Sequence, residues 1–311
     1  MTQPKAIIGA GLAGLIAAHA WPQAQVFERM PEPTQQHRAL LRFRSDAVAR
    51  LTGIEFRKVR VRKGIWHSGY RAPDIQLANM YAQKVGAGLS GDRSIWDISP
   101  VDRWIAPDNL YDQLVDNVRS RVRWDCPYDF TDENPLTHDQ RGVVSTMPLP
   151  ELLNELKVPH PNGTTFKHAG ITVRRYIVEG ADLYQTVYFP SPHHSLYRAS
   201  MSGATLIMEF VGERAALHQW AGIEEACHAF AIEPSRCSEQ ERRDQRYGKI
   251  VGIDDATRKG LLLTLTQYFG VYSLGRFATW RNLLLDDVVQ DIDVIKRLMR
   301  VGHYDMRRTG A

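Results

Sequence analysis

Residues 5–29 read KAIIGAGLAGLIAAHAWPQAQVFER, and no other stretch of the chain restricts its fold as strongly. An apolar run, Ala6-Ile7-Ile8, enters Gly9-Ala10-Gly11-Leu12-Ala13-Gly14. An Ala-rich helical pattern follows, and a second apolar run ends in Glu28. The order strand, glycine turn, helix, strand, acid is that of a dinucleotide-binding βαβ unit. Gly9 permits the tight turn. Gly11 leaves room for the backbone to approach a pyrophosphate, and Gly14 lets the helix lie close to the strand. The helix N-terminus offers unpaired N–H groups and partial positive charge to phosphates. Glu28, 19 residues after Gly9, can present a carboxylate to ribose hydroxyls. The competing reading, a strand-to-helix turn that binds nothing, has to explain why strand, turn, helix and acid all fall at the right distances.

With 311 residues, 43% of them hydrophobic and 24% charged, the chain can bury a core without disulfides or metals. Cys126, Cys227 and Cys237 are odd in number, widely spaced and free of metal-ligand spacing. They read as reduced thiols, so no metal is expected. No run approaches a membrane span, and the N-terminus goes directly into a strand. A soluble cytoplasmic protein is the expectation. The net charge of +4 is mild. Basic residues cluster early, at His37, Arg38, Arg42, Arg44 and Arg50, then Arg57, Lys58, Arg60, Arg62 and Lys63. A solvated face with a few phosphate contacts accounts for them, and so does a nucleic-acid groove.

Helical spacing is expected over 38–52, 76–86, 107–119, 150–156, 213–231, 255–266 and 283–299. Alternation or short apolar runs mark strands at 54–66, 122–124 and 142–149, four more between 171 and 210, and one over 269–276 that runs into glycine and arginine. The β-rich stretch lies inside the chain, flanked on both sides by nucleotide-binding segments. The expected division is a discontinuous nucleotide-binding domain of 1–70, 107–150 and 248–311, and a substrate or cap domain of 71–106 and 151–247.

Three separated elements carry a resemblance. They are the glycine motif with Glu28, the strand Val143-Val144-Ser145-Thr146-Met147-Pro148-Leu149, and Gly275-Arg276-Phe277-Ala278-Thr279-Trp280 with Asp286-Asp287-Val288. Together they resemble FAD-dependent flavoproteins of the amine-oxidase and UDP-galactopyranose-mutase type. The resemblance implies an α/β chain: a Rossmann-like FAD-binding domain with a parallel sheet, plus an inserted, mostly antiparallel β substrate domain. It implies that the first motif holds the ADP half and that the Ser-Thr-x-Pro strand runs near the flavin. The Gly-Arg segment would then lead into a helix whose N-terminus favours negative charge on the reduced ring. The cofactor-binding residues so implied are Gly9, Gly11, Leu12, Ala13, Gly14, Glu28, Arg29, Arg42, Arg44, Thr146, Met147, Pro148, Gly275, Arg276, Trp280 and Asp286. Arg276 reads equally as a surface ion pair, and Trp280 equally as core packing. Relatives carry a Gly-Gly pair soon after the ribose acid. Here 29–37 reads RMPEPTQQH, so Arg42 or Arg44 would face the pyrophosphate.

A flavin supplies the redox chemistry, and the protein supplies position and electrostatics. No Ser-His-Asp order, HExxH or paired-Cys motif argues for another mechanism. The expected reaction is oxidation of a C–N bond of an amine or amino-acid-like group. Trp66, Tyr188, Tyr197, Tyr268 and Tyr272 are candidate enclosure residues. Arg198 is placed to hold an anionic group, and Lys249 resembles the lysine that some amine oxidases set near the flavin. The catalytic candidates are therefore Arg198, Tyr197, Lys249 and Tyr268. His193-His194 reads as a turn. The chain also resembles the flavoproteins of bacteriophage thymidine hypermodification, which would make a modified nucleobase the substrate and DNA a partner. Alternatives are a mutase acting on a nucleotide sugar through reduced flavin, a flavin monooxygenase using NAD(P)H, and a binding module without catalysis. Oligomeric state is not legible.

Overall fold

The computed structural model describes residues 3–33, 41–86, 95–130, 142–212 and 216–301. In chain order the first half runs β1 (Ala6–Ile8), α1 (Leu12–Ala20), β2 (Gln25–Phe27), β3 (Arg42–Phe43), α2 (Ala47–Thr52), β4 (Arg57–Trp66), β5 (Tyr70–Arg71), α3 (Ile75–Lys84), β6 (Val101–Ile105), α4 (Leu110–Val118) and β7 (Val122–Arg123). The second half runs β8 (Val143–Ser145), α5 (Leu149–Glu155), β9 (His168–Val178), β10 (Leu183–Tyr188), β11 (Leu196–Gly203), β12 (Thr205–Val211), α6 (Ala216–Phe230), β13 (Cys237–Ile250), α7 (Asp255–Phe269), β14 (Val271–Ser273) and α8 (Leu285–Val301).

The chain divides into two compact units. The first comprises 1–57, 104–166 and 252–311, the second 58–103 and 167–251. These boundaries differ from those read off the sequence. Residues 58–70 and 248–251 fall in the second unit because β4 pairs with β10 and the end of β13 pairs with β9. Residues 104–106 and 151–166 fall in the first.

In the first unit five parallel strands form a sheet in the order β14-β8-β1-β2-β7. Its strands are short, and β1 and β8 at its centre are wholly buried, as in a sheet covered on both faces. Leu15, Ile16, Ala17 and Ala18 of α1 are all buried, so the helix has no solvent stripe over this stretch; its alanines let neighbours approach closely. On α8, Val288, Ile292, Ile295 and Met299 are buried at spacings of four and three, the pattern of a helix with one core-facing stripe. They join α1, Val26 and Val144 in one core. The pairing β3–β6 joins Arg42 to Ile105 and Phe43 to Trp104.

In the second unit the strands run β13-β9-β12-β11-β10-β4, with β5 on β4. Every pairing is antiparallel except β10–β4. One face packs on α6 through Leu196, Ala199, Met201, Leu206, Met208 and Phe210. On α3, Leu77, Ala78 and Tyr81 pack with Tyr188 and Tyr197. Asp74 caps α3 by accepting the Leu77 N–H (2.8 Å).

One helix expectation is corrected here, and one strand was not foreseen. The helix expected over 38–52 is only Ala47–Thr52, because Arg42–Phe43 pairs as a strand; 38–40, like His37, lies outside the described residues. The 14-residue β13 carries no sequence expectation of its own: its CSEQERRDQRYGKI has no apolar alternation, since it is an exposed edge strand.

Candidate functional site

The glycine turn at the head of α1 is shaped by contact. Gly9 has φ +96°, a region that favours glycine, and a Cβ there would strike the Thr146 side chain. A Cβ on Gly14 would strike the Gly9 carbonyl. A Cβ on Gly11 meets nothing within 4 Å, so the turn has an open side at the one glycine expected to face a pyrophosphate. Leu12 and Ala13 open the helix behind it. Thr146 donates through Oγ1 (2.8 Å) and its backbone N–H (2.9 Å) to the Ile8 carbonyl, tying β8 to the mouth of β1. Met147 and Pro148 continue from there into α5. The Tyr111 hydroxyl donates to the Ala10 carbonyl (3.2 Å).

Glu28 stands immediately after β2. Its Oε2 accepts the Ala10 N–H (2.7 Å) and its Oε1 the Met30 N–H (2.9 Å). The acid is thus held against the glycine turn, with capacity left on both oxygens for further donors such as hydroxyls. The segment after β7 runs alongside: Cys126 donates to the Glu28 carbonyl (2.8 Å) and Asp125 to that of Met30 (3.0 Å). Phe27, Tyr128 and Phe130 form an edge-to-face series with centroids 5.1 Å apart at each step, and the Arg123 guanidinium lies 5.4 Å from the Phe27 ring. Sequence reasoning missed this aromatic wall, because two aromatics before the undescribed 131–141 carry no periodic signal.

The C-terminal motif completes the same unit. Gly275 has φ +92°, and a Cβ there would sit 3.0 Å from the Ala13 Cβ, so the glycine motif and the Gly-Arg turn meet directly. Trp280 is wholly buried and has φ +45°, an unusual state for a bulky residue; its ring meets Phe166 edge-on (5.2 Å). Asp286, 4% exposed, accepts from the Arg44 N–H (2.9 Å), the Ser45 N–H (3.0 Å) and the Ser45 hydroxyl (3.0 Å). Asp287 accepts the Leu284 N–H (2.7 Å) and pairs with the Arg44 guanidinium. These two acids therefore pin 44–45 to the first turn of α8, a role the sequence did not indicate. Arg29 pairs with Glu151 (3.2 Å), Arg42 lies in β3, and Arg276 reaches Asn282 (3.5 Å) and lies against Phe277.

Three of the four catalytic candidates gather in the second unit. Glu209 takes the Tyr197 hydroxyl (2.9 Å) and two guanidinium donors of Arg198, one at 2.7 Å. The Lys249 ammonium lies 4.1 Å from the centre of the Tyr197 ring. Burial works against the charge on Glu209, but Arg198, Lys249 and the Tyr197 hydroxyl outweigh it and hold the carboxyl below its usual range. Burial, then the Glu209 charge, pushes the Tyr197 phenol well up. Arg198, expected to hold an anion, thus has its charge set against Glu209. Tyr268 stands apart, 65% exposed on α7 in the first unit, and Tyr272 is buried in β14. Trp66 donates to Glu225 (2.5 Å). Among the described residues there is no group of three or more His, Cys, Asp or Glu placed to hold a metal, and no helix long and apolar enough to cross a membrane.

A parallel sheet with a glycine turn, an acid held against that turn and a mostly antiparallel second unit make up a two-unit Rossmann-like α/β architecture. No family model matches the chain, and no curated protein matches it in sequence. Its fold is shared with solved structures. Reduced UDP-galactopyranose mutase superposes with a TM-score of 0.58 at 15% identity over 96% of each chain. The p-nitrophenol 4-monooxygenase of Pseudomonas putida DLL-E4 gives 0.53 at 12% identity, over 100% of this chain and 82% of that one. A ternary complex of aklavinone-11 hydroxylase with FAD and aklavinone gives 0.51 at 11% identity, over 96% and 62%. At these identities the likeness establishes the fold.

Proposed function

We propose that the chain is an FAD-dependent oxidoreductase that oxidises a C–N bond of an amine or amino-acid-like group, including one carried on a modified thymine. The observation that carries the cofactor assignment is the open glycine turn faced by Glu28 and abutted by Gly275, on a fold shared with a protein solved with FAD. Glu28 would hold ribose hydroxyls, and the N–H groups at the head of α1 the pyrophosphate. Trp280 and the Gly275 turn would stand beside the ring system. FAD, when bound, would accept the hydride equivalent, that is two electrons with one proton, released from the carbon next to nitrogen.

The amine reading is supported by the second unit. Tyr197 and Glu209 already recognise an ammonium, that of Lys249, through a ring face and a carboxylate. Tyr81, Tyr188 and Tyr197 add an aromatic surround that would enclose the amine beside Glu209.

The test is spectroscopic. The purified protein is expected to be yellow, and its visible band to bleach without oxygen when a substrate amine is added. Bleaching only by NAD(P)H would replace the amine reading with a monooxygenase. No bleaching, with sugar isomerisation after dithionite reduction, would replace it with a mutase. A colourless protein that takes up no FAD would overturn the flavoenzyme assignment.

A further inference from the structure

Strand β4 carries a cationic face that none of the chemistry above uses. Strand alternation puts Lys58, Arg60 and Arg62 on one side, and all three are exposed. Val59, Val61 and Lys63 alternate to the other side, where Val61 is buried and the Lys63 ammonium donates to the Asp97 carbonyl (3.0 Å). Asp102 of β6 stands against this row, shared between Lys58 (3.2 Å) and Arg60 (2.9 Å). Those two cations hold its carboxyl below the usual range. Three positive charges against one negative leave an excess of two.

The row ends at an aromatic ring. Gly64 follows Arg62 on the same face, and a Cβ there would strike the Tyr70 ring, which therefore lies across the strand where a side chain is missing. Tyr70 is 51% exposed, yet fixed: its hydroxyl donates to the Ala229 carbonyl (2.7 Å) and accepts from Gln185 (2.9 Å), and its ring meets Trp66 edge-on (5.2 Å). Gln185 is the register partner of Arg62, so it too belongs to this face. The result is a row of three cationic residues stepping along the strand by about 6.8 Å of backbone rise each, closed by a held aromatic.

We infer that this face of β4 is a docking track for a single nucleic-acid strand, with Lys58, Arg60 and Arg62 against successive phosphates and Tyr70 offering its ring to a base. Evenly spaced cations beside a stacking aromatic are the two parts that sequence-tolerant single-strand binding requires. An anionic membrane needs the charge but also an apolar group to insert, and the exposed residues of this face on β4 are cations. The inference stands whether or not the chain binds FAD.

The test is fluorescence anisotropy of a labelled oligothymidylate of about 15 nucleotides with the full chain. Binding is expected at about 50 mM salt and should weaken with a log–log salt slope of about −2, from three phosphate contacts at roughly 0.7 each. In R60Q/R62Q the slope should fall to about −0.7, with at least a tenfold loss of affinity at low salt. Y70A should weaken binding at all salts without changing the slope. Visible spectrum and melting temperature should match wild type in R60Q/R62Q, which separates this outcome from failure of the flavin reading. No binding at low salt, or binding that R60Q/R62Q leaves intact, would overturn the inference. So would phosphatidylserine vesicles captured through these residues in place of the oligonucleotide.

Discussion

Gly14 and Glu28 show how much a single position can decide. Replacing Gly14 by valine drives a side chain into the Gly9 carbonyl, so α1 must move off β1. We expect a stability loss of about 1–3 kcal/mol in urea and a protein that no longer retains FAD on gel filtration. Glu28→Gln keeps the shape but not the charge. It should weaken FAD binding by about tenfold to a hundredfold, since a hydrogen bond to a charged group contributes about 1.5–3 kcal/mol. His194 sets a pH dependence. Burial, and then the nearby Lys84 ammonium, lower its pKa from 6.5 to about 3. The folded state stays neutral while the unfolded chain takes up a proton, so stability is full above the ordinary value and falls as pH drops towards the lowered one. Between pH 7 and 5 the loss should be about 2 kcal/mol. His194→Gln should flatten that slope when urea midpoints are compared at the two pH values. The residues of the glycine motif were legible in sequence because each has a steric reason to be glycine. Arg198 and Lys249 were legible as candidates, but their joint dependence on Glu209 was not, because β11, β12 and β13 bring them together only through register.

At the scale of elements, Asp286 makes the clearest case. It joins the first turn of α8 to residues 44–45, which lie more than two hundred positions earlier in the chain. Asp286→Ala leaves three buried or half-buried donors without their acceptor and should cost about 2–4 kcal/mol, read as a lower urea midpoint. Asp286→Asn should recover part of it. The helices and buried strands followed their periodicities closely. α7 has both its signals, Asp254 accepting the Thr257 N–H (2.8 Å) and Gly270 ending it at φ +63°. β13 was hidden for a physical reason: an edge strand with polar residues on both sides has no hydrophobic period to read. Helical spacing at 38–52 misled because Leu41, Val48 and Leu51 serve a strand approach and a two-turn helix, not one continuous stripe.

For the whole molecule, binding must appear as stability. FAD at a hundred times its dissociation constant should raise the unfolding free energy by about 2.7 kcal/mol, seen as a concentration-dependent melting temperature. An unchanged melt at saturating FAD would contradict a preformed site. The alternation of α/β and β-rich segments was visible in the sequence. The exact crossings were not, since a boundary is set by which strand a residue pairs with and not by composition.

Those crossings also order events during synthesis. The second unit draws on nothing beyond residue 251, whereas the first waits for 252–311 to supply α7, β14 and α8. A nascent chain can therefore finish its β-rich part on the ribosome while the nucleotide cradle still lacks an outer strand and the Gly275 turn. Cofactor uptake would then be a late checkpoint, and a chain cut after residue 251 is expected to fold its β-rich unit and hold no FAD.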